Sequence, residues 1–155
     1  MSNHKYYYDD YYNDVSAIVD RYKIVPNLHI VGLYSDGLPA AIHLSSALDC
    51  PMSIIRVVDD EAVWLLNLTE DKSLRGPSTP LFPRVVVVDA VYDSGDKFRA
   101  VKQLPEFINN PDCTFFTFFG CKNDMNVSYI YEQVYRNILF PWHGIKEESE
   151  QRISL

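Results

Sequence analysis

Basic residues are scarce in this 155-residue chain. It has 14 lysines and arginines against 21 aspartates and glutamates, which gives a formal net charge of −7. Proteins that bind nucleic acids or anionic membranes need a basic surface, so the composition argues against both kinds of partner. The sequence also has no long apolar run and no recognisable targeting segment. We therefore expect a protein that neither spans a membrane nor is exported.

Cysteine is scarce as well, with only three in the chain. Their spacing is neither that of a metal site nor that of a disulfide framework, so we interpret them as reduced thiols of a cytoplasmic protein. The four histidines share no spacing with cysteines or acids, and each is interpreted as a structural or surface residue rather than a metal ligand. These residues are Cys50, Cys113, Cys121, His4, His29, His43 and His143.

The apolar content, in contrast, is 47%, which is enough for one domain with a substantial core. Helical and strand patterns alternate along the chain without an internal repeat. This alternation predicts an α/β fold with a central, mainly parallel sheet in a single domain over residues 1–155. The predicted helices lie near 8–22, 38–48 and 97–103, and the predicted strands are 28–33, 52–57, 62–68, 85–88, 114–119 and 127–132.

Three other segments are interpreted structurally. The acidic triplet 59–61 is predicted to be a hairpin tip rather than a magnesium site. Serine, glycine and proline residues in 69–83 predict a long loop, of a length that often covers a binding site. The four phenylalanines between 115 and 119 are interpreted as core packing rather than as a platform for nucleic-acid bases.

The most informative segment is 84–98, where four valines precede Asp89. Such a run is typical of a central strand that is covered on both faces, and the carboxyl ends of such strands hold ligands in open α/β sheets. Backbone N–H groups from Ser94 to Lys97 would face an anion at the start of the following helix. Acidic, hydroxyl and glycine residues at this place predict a sugar-phosphate site.

This segment resembles the ribose-phosphate motif of the purine-salvage type I phosphoribosyltransferases. That motif begins with an apolar strand, which is followed by two acids, two apolar residues and then Asp-Thr/Ser-Gly-x-Thr. Here the chain reads Asp-Ala-Val-Tyr-Asp-Ser-Gly-Asp-Lys over 89–97. Segments 28–41, 45–55, 117–122 and 137–142 resemble xanthine/hypoxanthine-guanine members in the same order. The resemblance covers about residues 10 to 144. It implies the type I phosphoribosyltransferase fold, with a small hood near 123–144 and a flexible loop near 69–83.

The resemblance also implies an activity, which is transfer of a phosphoribosyl group from phosphoribosyl pyrophosphate (PRPP) to a purine base with Mg²⁺. It implies that Asp93 handles the proton on the purine ring, and that Asp89 faces the ribose hydroxyls and, weakly, the magnesium ion. It assigns the 5′-phosphate pocket to Ser94, Gly95, Asp96 and Lys97, the pyrophosphate loop to Ser35, Asp36 and Gly37, and base binding to Lys122, Ile138 and Trp142. A nucleotide or PRPP ligand and a homodimer or homotetramer follow from the same resemblance.

The sequence departs from the family pattern at four functional positions. In the pyrophosphate loop the chain reads Ser35-Asp36-Gly37 where the family commonly has Arg-Gly-Gly. A cation is lost and an anion is gained, so attraction toward pyrophosphate is replaced by repulsion, which costs roughly several kcal/mol at short range. Ala90 replaces the second ribose-site acid, and Asp96 adds a charge to the phosphate turn. Asn137 stands where the family has a ring-stacking aromatic residue.

Compensation for these departures is conceivable. Lys97 would contact a phosphate directly, Asp36 would hold a magnesium ion that the substrate carries, and Trp142 or Phe140 would take over ring stacking. Three functions therefore stay open. They are an active purine phosphoribosyltransferase, a catalytically impaired protein of the same fold that binds a nucleotide or related metabolite, and a structural or interaction scaffold.

Overall fold

The computed structural model describes residues 3–68, 84–108, 113–120, 127–132 and 137–143. The predicted helices and strands are confirmed, most of them to within about two residues at each end. In chain order the elements are β1 (Asn3–Lys5), α1 (Tyr8–Tyr22), β2 (Leu28–Tyr34), α2 (Leu38–Leu48), β3 (Met52–Val58), β4 (Glu61–Leu66), β5 (Arg84–Tyr92), α3 (Asp96–Lys102), α4 (Pro105–Ile108), β6 (Cys113–Gly120), β7 (Val127–Glu132), β8 (Asn137–Leu139) and a 3-10 turn (Pro141–His143).

Six of the described strands form one sheet in the order β4-β3-β2-β5-β6-β7. All neighbouring pairs are parallel except β3 and β4, which form an antiparallel hairpin. At the tip of this hairpin Asp59 and Asp60 adopt left-handed backbone angles, with φ of 51° and 61°. Aspartate tolerates this conformation better than most residues. The mainly parallel sheet and the hairpin at 59–61 are therefore confirmed.

The valine run explains the central position of β5. Val86 and Val88 pack into a core cluster with α1 and α2, whereas Val85 and Val87 pack into a second cluster with α3 and α4 on the opposite face. The phenylalanines of β6 divide between the same two clusters, and all four are buried. Their interpretation as core residues is confirmed. Both faces of the sheet are thus covered by helices, as the hydrophobic run predicts.

The strand order reverses between β2 and β5. From β2 the chain passes through α2 to β3 on one side, while β5 leads to β6 and β7 on the other side. Open α/β sheets hold their ligands in the crevice outside the carboxyl ends of the strands at such a reversal. The two loops that follow β2 and β5 are therefore where the fold places a binding site.

The C-terminal part of the described chain is divided between two sheets. β7, which falls within the predicted hood near 123–144, is the edge strand of the central sheet. β8 pairs in parallel with β1 in a separate two-stranded sheet. The predicted loop near 69–83 lies outside the described residues, so the extents of the hood and of this loop stay predictions. No helix in the described ranges is long and apolar enough to cross a membrane.

Candidate functional site

Gly37 brings the loop after β2 into contact with β5. Its N–H donates to the carbonyl of Leu33 at 2.9 Å. A Cβ atom at this position would overlap the carbonyl oxygen of Val88 and lie 3.0 Å from Cα of Asp89. Only a residue without a side chain allows this approach. The structure therefore places the predicted pyrophosphate loop directly beside the predicted ribose-phosphate segment.

A cavity of about 280 Å³ opens at the carboxyl end of β5. It contains all six residues that the sequence assigns to catalysis and phosphoribosyl binding, and three apolar or aromatic residues that the sequence analysis did not assign. Tyr92 and Phe98 stack on each other with ring centroids 5.3 Å apart, so they form one wall. The complete lining is Asp89, Val91, Tyr92, Asp93, Ser94, Gly95, Asp96, Lys97 and Phe98.

Asp89 is the buried charge of this cavity, with 2% of its surface exposed. The sequence analysis placed it at the end of its strand, but β5 continues to Tyr92 because Val91 and Tyr92 still pair with β6. Its carboxylate accepts the N–H of Ala90 at 2.8 Å and an N–H from Nζ of Lys97 at 3.4 Å. Burial raises its pKa, while Lys97 and the Ala90 N–H oppose this change.

Lys97 and Asp36 complete the electrostatics around Asp89. The Lys97 side chain is 56% exposed, so its ammonium group is accessible to a ligand in the cavity as well as to Asp89. The Asp36 carboxylate raises the pKa of Asp89 further, although by less than burial does. The two acids are therefore near enough to interact, and Lys97 forms an ion pair with Asp89.

The turn between β5 and α3 has a special backbone conformation. Gly95 has φ of +85°, and a Cβ there would lie 2.6 Å from the hydroxyl oxygen of Tyr92. Glycine is the residue that adopts this conformation most readily. The Ser94 hydroxyl accepts the N–H of Asp96 at 3.3 Å. Arg99 binds the Asp96 carboxylate and donates to the carbonyl of Ser94 at 3.2 Å.

The Arg99 contact changes the interpretation of Asp96. The family pattern predicts Asp96 to be an added negative charge in the phosphate turn, but the structure pairs it with a cation from the next helical turn. The i,i+3 spacing is the sequence signal that points to this pair. Arg99 therefore offsets much of the repulsion that Asp96 would exert on a phosphate.

Asp36 is bound by two donors from the 3-10 turn. Its Oδ1 atom lies 2.7 Å from Nε2 of His143 and 3.4 Å from Nε1 of Trp142. Nδ1 of His143 accepts the N–H of Phe140 at 3.3 Å, which assigns the ring hydrogen to Nε2 and makes Nε2 the donor. The sequence analysis treated His143 only as a structural or surface histidine and did not connect it with Asp36. Their separation of 107 residues leaves no local pattern to detect.

Two of the predicted base-binding residues, Ile138 and Trp142, pack against the core cluster of α1 and α2. Trp142 is half-buried and also borders the β2 loop through its hydrogen bond to Asp36. Phe140 is only 2% exposed, which makes it core rather than the accessible stacking ring that the sequence analysis considered. Lys122 lies outside the described residues. Within the described ranges, no group of three or more histidines, cysteines or acids is placed to hold a metal ion.

Comparisons with known proteins bear on the fold. No family model and no curated protein matches the sequence. A purine phosphoribosyltransferase from Pyrococcus horikoshii Ot3 superposes with a TM-score of 0.68 at 21% identity, covering 92% of this chain and 94% of its own. The Helicobacter pylori xanthine-guanine-hypoxanthine phosphoribosyltransferase gives a TM-score of 0.66 at 18% identity, with coverages of 97% and 99%.

A third similar structure is that of a hypothetical protein from Neisseria gonorrhoeae with bound ppGpp. It superposes with a TM-score of 0.67 at 19% identity and covers 99% of this chain and 96% of its own. These likenesses extend over nearly the whole of each chain, while the identities are low. The chain therefore has the type I phosphoribosyltransferase fold, and its structural neighbours include purine-type members.

Proposed function

We propose that this protein is a purine-type phosphoribosyltransferase that binds PRPP with Mg²⁺ in the crevice between the β2 and β5 loops. The observation that carries the proposal is the cavity at the end of β5, in which Asp89, Asp93 and Lys97 face one space. This cavity lies at the strand-order reversal, where the fold favours a ligand.

The 5′-phosphate would bind at the turn that contains Ser94, Gly95 and Lys97. An ammonium group and the Ser94 hydroxyl both line the cavity there, and both suit phosphate oxygens. The charge of Asp96 is already paired with Arg99. At this turn a phosphate would therefore meet the accessible ammonium group of Lys97, while the carboxylate of Asp96 is paired with Arg99.

Asp89 would accept hydrogen bonds from the ribose hydroxyls. Its carboxylate is buried and has two donors, one of which is the half-exposed Lys97. If a phosphate engages Lys97, the buried carboxylate needs replacement donors, because an unpaired buried charge is costly. Sugar hydroxyls supply such donors. Binding of a phosphate and binding of a ribose would thereby reinforce each other.

Asp93 would handle the proton of the reacting purine nitrogen. The base displaces pyrophosphate from C1 of the ribose, so a carboxylate near the base can accept the proton that the nitrogen loses. Asp93 lines the same cavity as the residues proposed to hold the sugar phosphate. A magnesium ion carried by PRPP would supply charge neutralisation for the departing pyrophosphate.

The experiment is incubation of the protein with PRPP, MgCl₂ and each purine base, with nucleotide formation followed by chromatography. Asp93→Asn should lower the rate about 100-fold or more, because a positioned general acid–base group contributes that much. Asp20→Asn is the matched control, since Asp20 is exposed on α1 and pairs only locally with Lys23. Failure to consume any purine base would refute the transferase proposal.

A second candidate is a nucleotide-binding regulatory protein that does not turn over its ligand. The observation that favours it is Asp36, whose carboxylate lies in the loop proposed for pyrophosphate. One structural neighbour was solved with bound ppGpp, although at 19% identity. This candidate predicts saturable nucleotide binding without product. Assembly as a homodimer or homotetramer and a cytoplasmic location stay predictions for either function.

A further inference from the structure

The Asp36 carboxylate joins the β2 loop to a segment 107 residues further along the chain. A single oxygen, Oδ1, accepts from both Nε2 of His143 and Nε1 of Trp142. Two hydrogen bonds to one oxygen restrict both rings relative to the loop. Asp36 therefore links the part of the crevice proposed for pyrophosphate to the part proposed for the base.

The Trp142 indole is held on its other sides by aromatic rings. It stacks on Phe140 with centroids 4.9 Å apart and planes 12° apart, and the Tyr11 ring meets it edge-on at 5.4 Å. Phe140 is buried in the core beside α1. These two ring contacts hold the indole on the core side, and the hydrogen bond to Asp36 holds its N–H. Asp36 is thus a polar contact that ties the ring to the β2 loop.

We propose that Asp36 is a positioning residue that fixes Trp142 and His143 beside the crevice. In this role it sets how strongly the base and the diphosphate part of a ligand bind there. This inference rests on the proposed function, since it takes the base to bind on the side of Trp142. It assigns two opposing effects to one carboxylate. Asp36 strengthens recognition of the base through Trp142, and its negative charge weakens binding of a diphosphate at the β2 loop.

A residue with a merely structural role would not change the affinities for the diphosphate and for the base in opposite directions. Removing the carboxylate removes its repulsion, so a diphosphate at the loop should bind roughly tenfold more tightly. The same change frees Trp142 and His143, so the gain in affinity that a base provides should fall by about fivefold. General damage to the crevice would weaken both interactions together.

The test uses three ligands with the full-length protein in calorimetric titrations. Pyrophosphate without magnesium probes the loop. The ratio of inosine 5′-monophosphate affinity to ribose 5-phosphate affinity isolates the contribution of the base. Asp36→Ala should raise the first affinity and lower the ratio. Asp36→Asn, which keeps one oxygen acceptor but loses the charge, should raise the first affinity and largely preserve the ratio. Asp20→Asn removes an exposed acid on α1 and should change neither quantity.

A fluorescence measurement decides the positioning role without any ligand. The chain has two tryptophans, so in a Trp64→Phe background all tryptophan emission comes from Trp142. Asp36→Ala should shift this emission to longer wavelength and increase its quenching by acrylamide, whereas Asp20→Asn should not.

Unchanged emission together with an unchanged affinity ratio in Asp36→Ala would overturn the positioning role. If wild-type protein binds none of the three ligands, the proposed function fails. The fluorescence result still decides whether Asp36 positions Trp142.

Discussion

Gly37→Ala should separate the β2 loop from β5 and destabilise the whole fold. The backbone at Gly37 has φ of −79°, which any residue adopts, so the cost of the substitution is purely steric. The new Cβ would lie 2.7 Å from the carbonyl oxygen of Leu33 and still closer to that of Val88. Carbon–oxygen contacts normally lie at about 3.3–3.6 Å. Because both obstacles are backbone atoms, they cannot move by changing rotamer.

The magnitude follows from this geometry. Overpacking of a dense interior costs about 1–3 kcal/mol, and a clash with two strands belongs at the upper end, so we expect about 3 kcal/mol. For a protein of this size that corresponds to a fall in Tm of roughly 6–12 °C. Urea unfolding followed by circular dichroism measures the free energy of unfolding. Affinity for magnesium PRPP should fall in parallel, since the two loops no longer meet.

Gly32→Ala is the matched comparison. Its Cβ would lie 2.8 Å from Cβ of Ala41 and 3.2 Å from Cδ2 of Leu38, which are side-chain atoms on α2. Ala41 Cβ cannot move by changing rotamer, so α2 must shift, but no backbone oxygen is overlapped. We therefore expect a smaller loss than for Gly37→Ala, about 1–2 kcal/mol, and a smaller change in ligand affinity. Ordinary surface substitutions change the free energy of unfolding by about 0.5 kcal/mol. A Gly37→Ala protein whose free energy of unfolding differs from that of wild type by no more than this would refute the reasoning.

Three further predictions concern titration, ligand contact and chemistry. Burial lowers the pKa of the His29 imidazole from 6.5 to about 4. As the pH drops, the imidazole is protonated in the unfolded chain before it is protonated in the folded protein. The free energy of unfolding therefore falls between about pH 6.5 and about pH 4. The loss is roughly 3 kcal/mol at about 1.4 kcal/mol per pH unit, and His29→Gln should flatten the urea-midpoint profile over that range. Lys97→Ala should raise the pKa of Asp89 further and weaken ribose 5-phosphate binding by about tenfold or more in calorimetry; unchanged affinity would argue against the phosphate contact. Asp93→Asn should bind PRPP normally while the rate of nucleotide formation falls about 100-fold or more, and a parallel loss of binding would assign Asp93 a structural role instead.

Much of the fold was predictable because its elements are specified locally. The four valines before Asp89 are apolar on both faces, which only a covered central strand satisfies. Apolar and aromatic residues at helical spacing predicted α1, Pro39 in the first turn indicated α2, and the acidic triplet after β3 predicted a hairpin tip. The cavity residues were also predictable, since a strand, a turn and a helix keep Asp89 to Lys97 together in sequence and space.

What the sequence did not reveal depends on contacts between distant segments. The Asp36–His143 contact joins residues that share no local pattern. β1 and β8 are strands of three residues each, too short for period-two alternation to be recognised. The i,i+3 spacing of Asp96 and Arg99 is a local signal for their pairing, whereas the ribose-phosphate motif ends at Lys97 and does not include Arg99.

The most direct measurement is calorimetric titration of the full-length protein with PRPP and MgCl₂, alongside Lys97→Ala. The account predicts saturable binding in the micromolar range, about −8 kcal/mol, and a clear weakening in the variant. This would place PRPP in the crevice at the carboxyl ends of β2 and β5. Absence of binding to wild-type protein would contradict the central claim, because the cavity of Asp89, Asp93 and Lys97 would then not be a PRPP site.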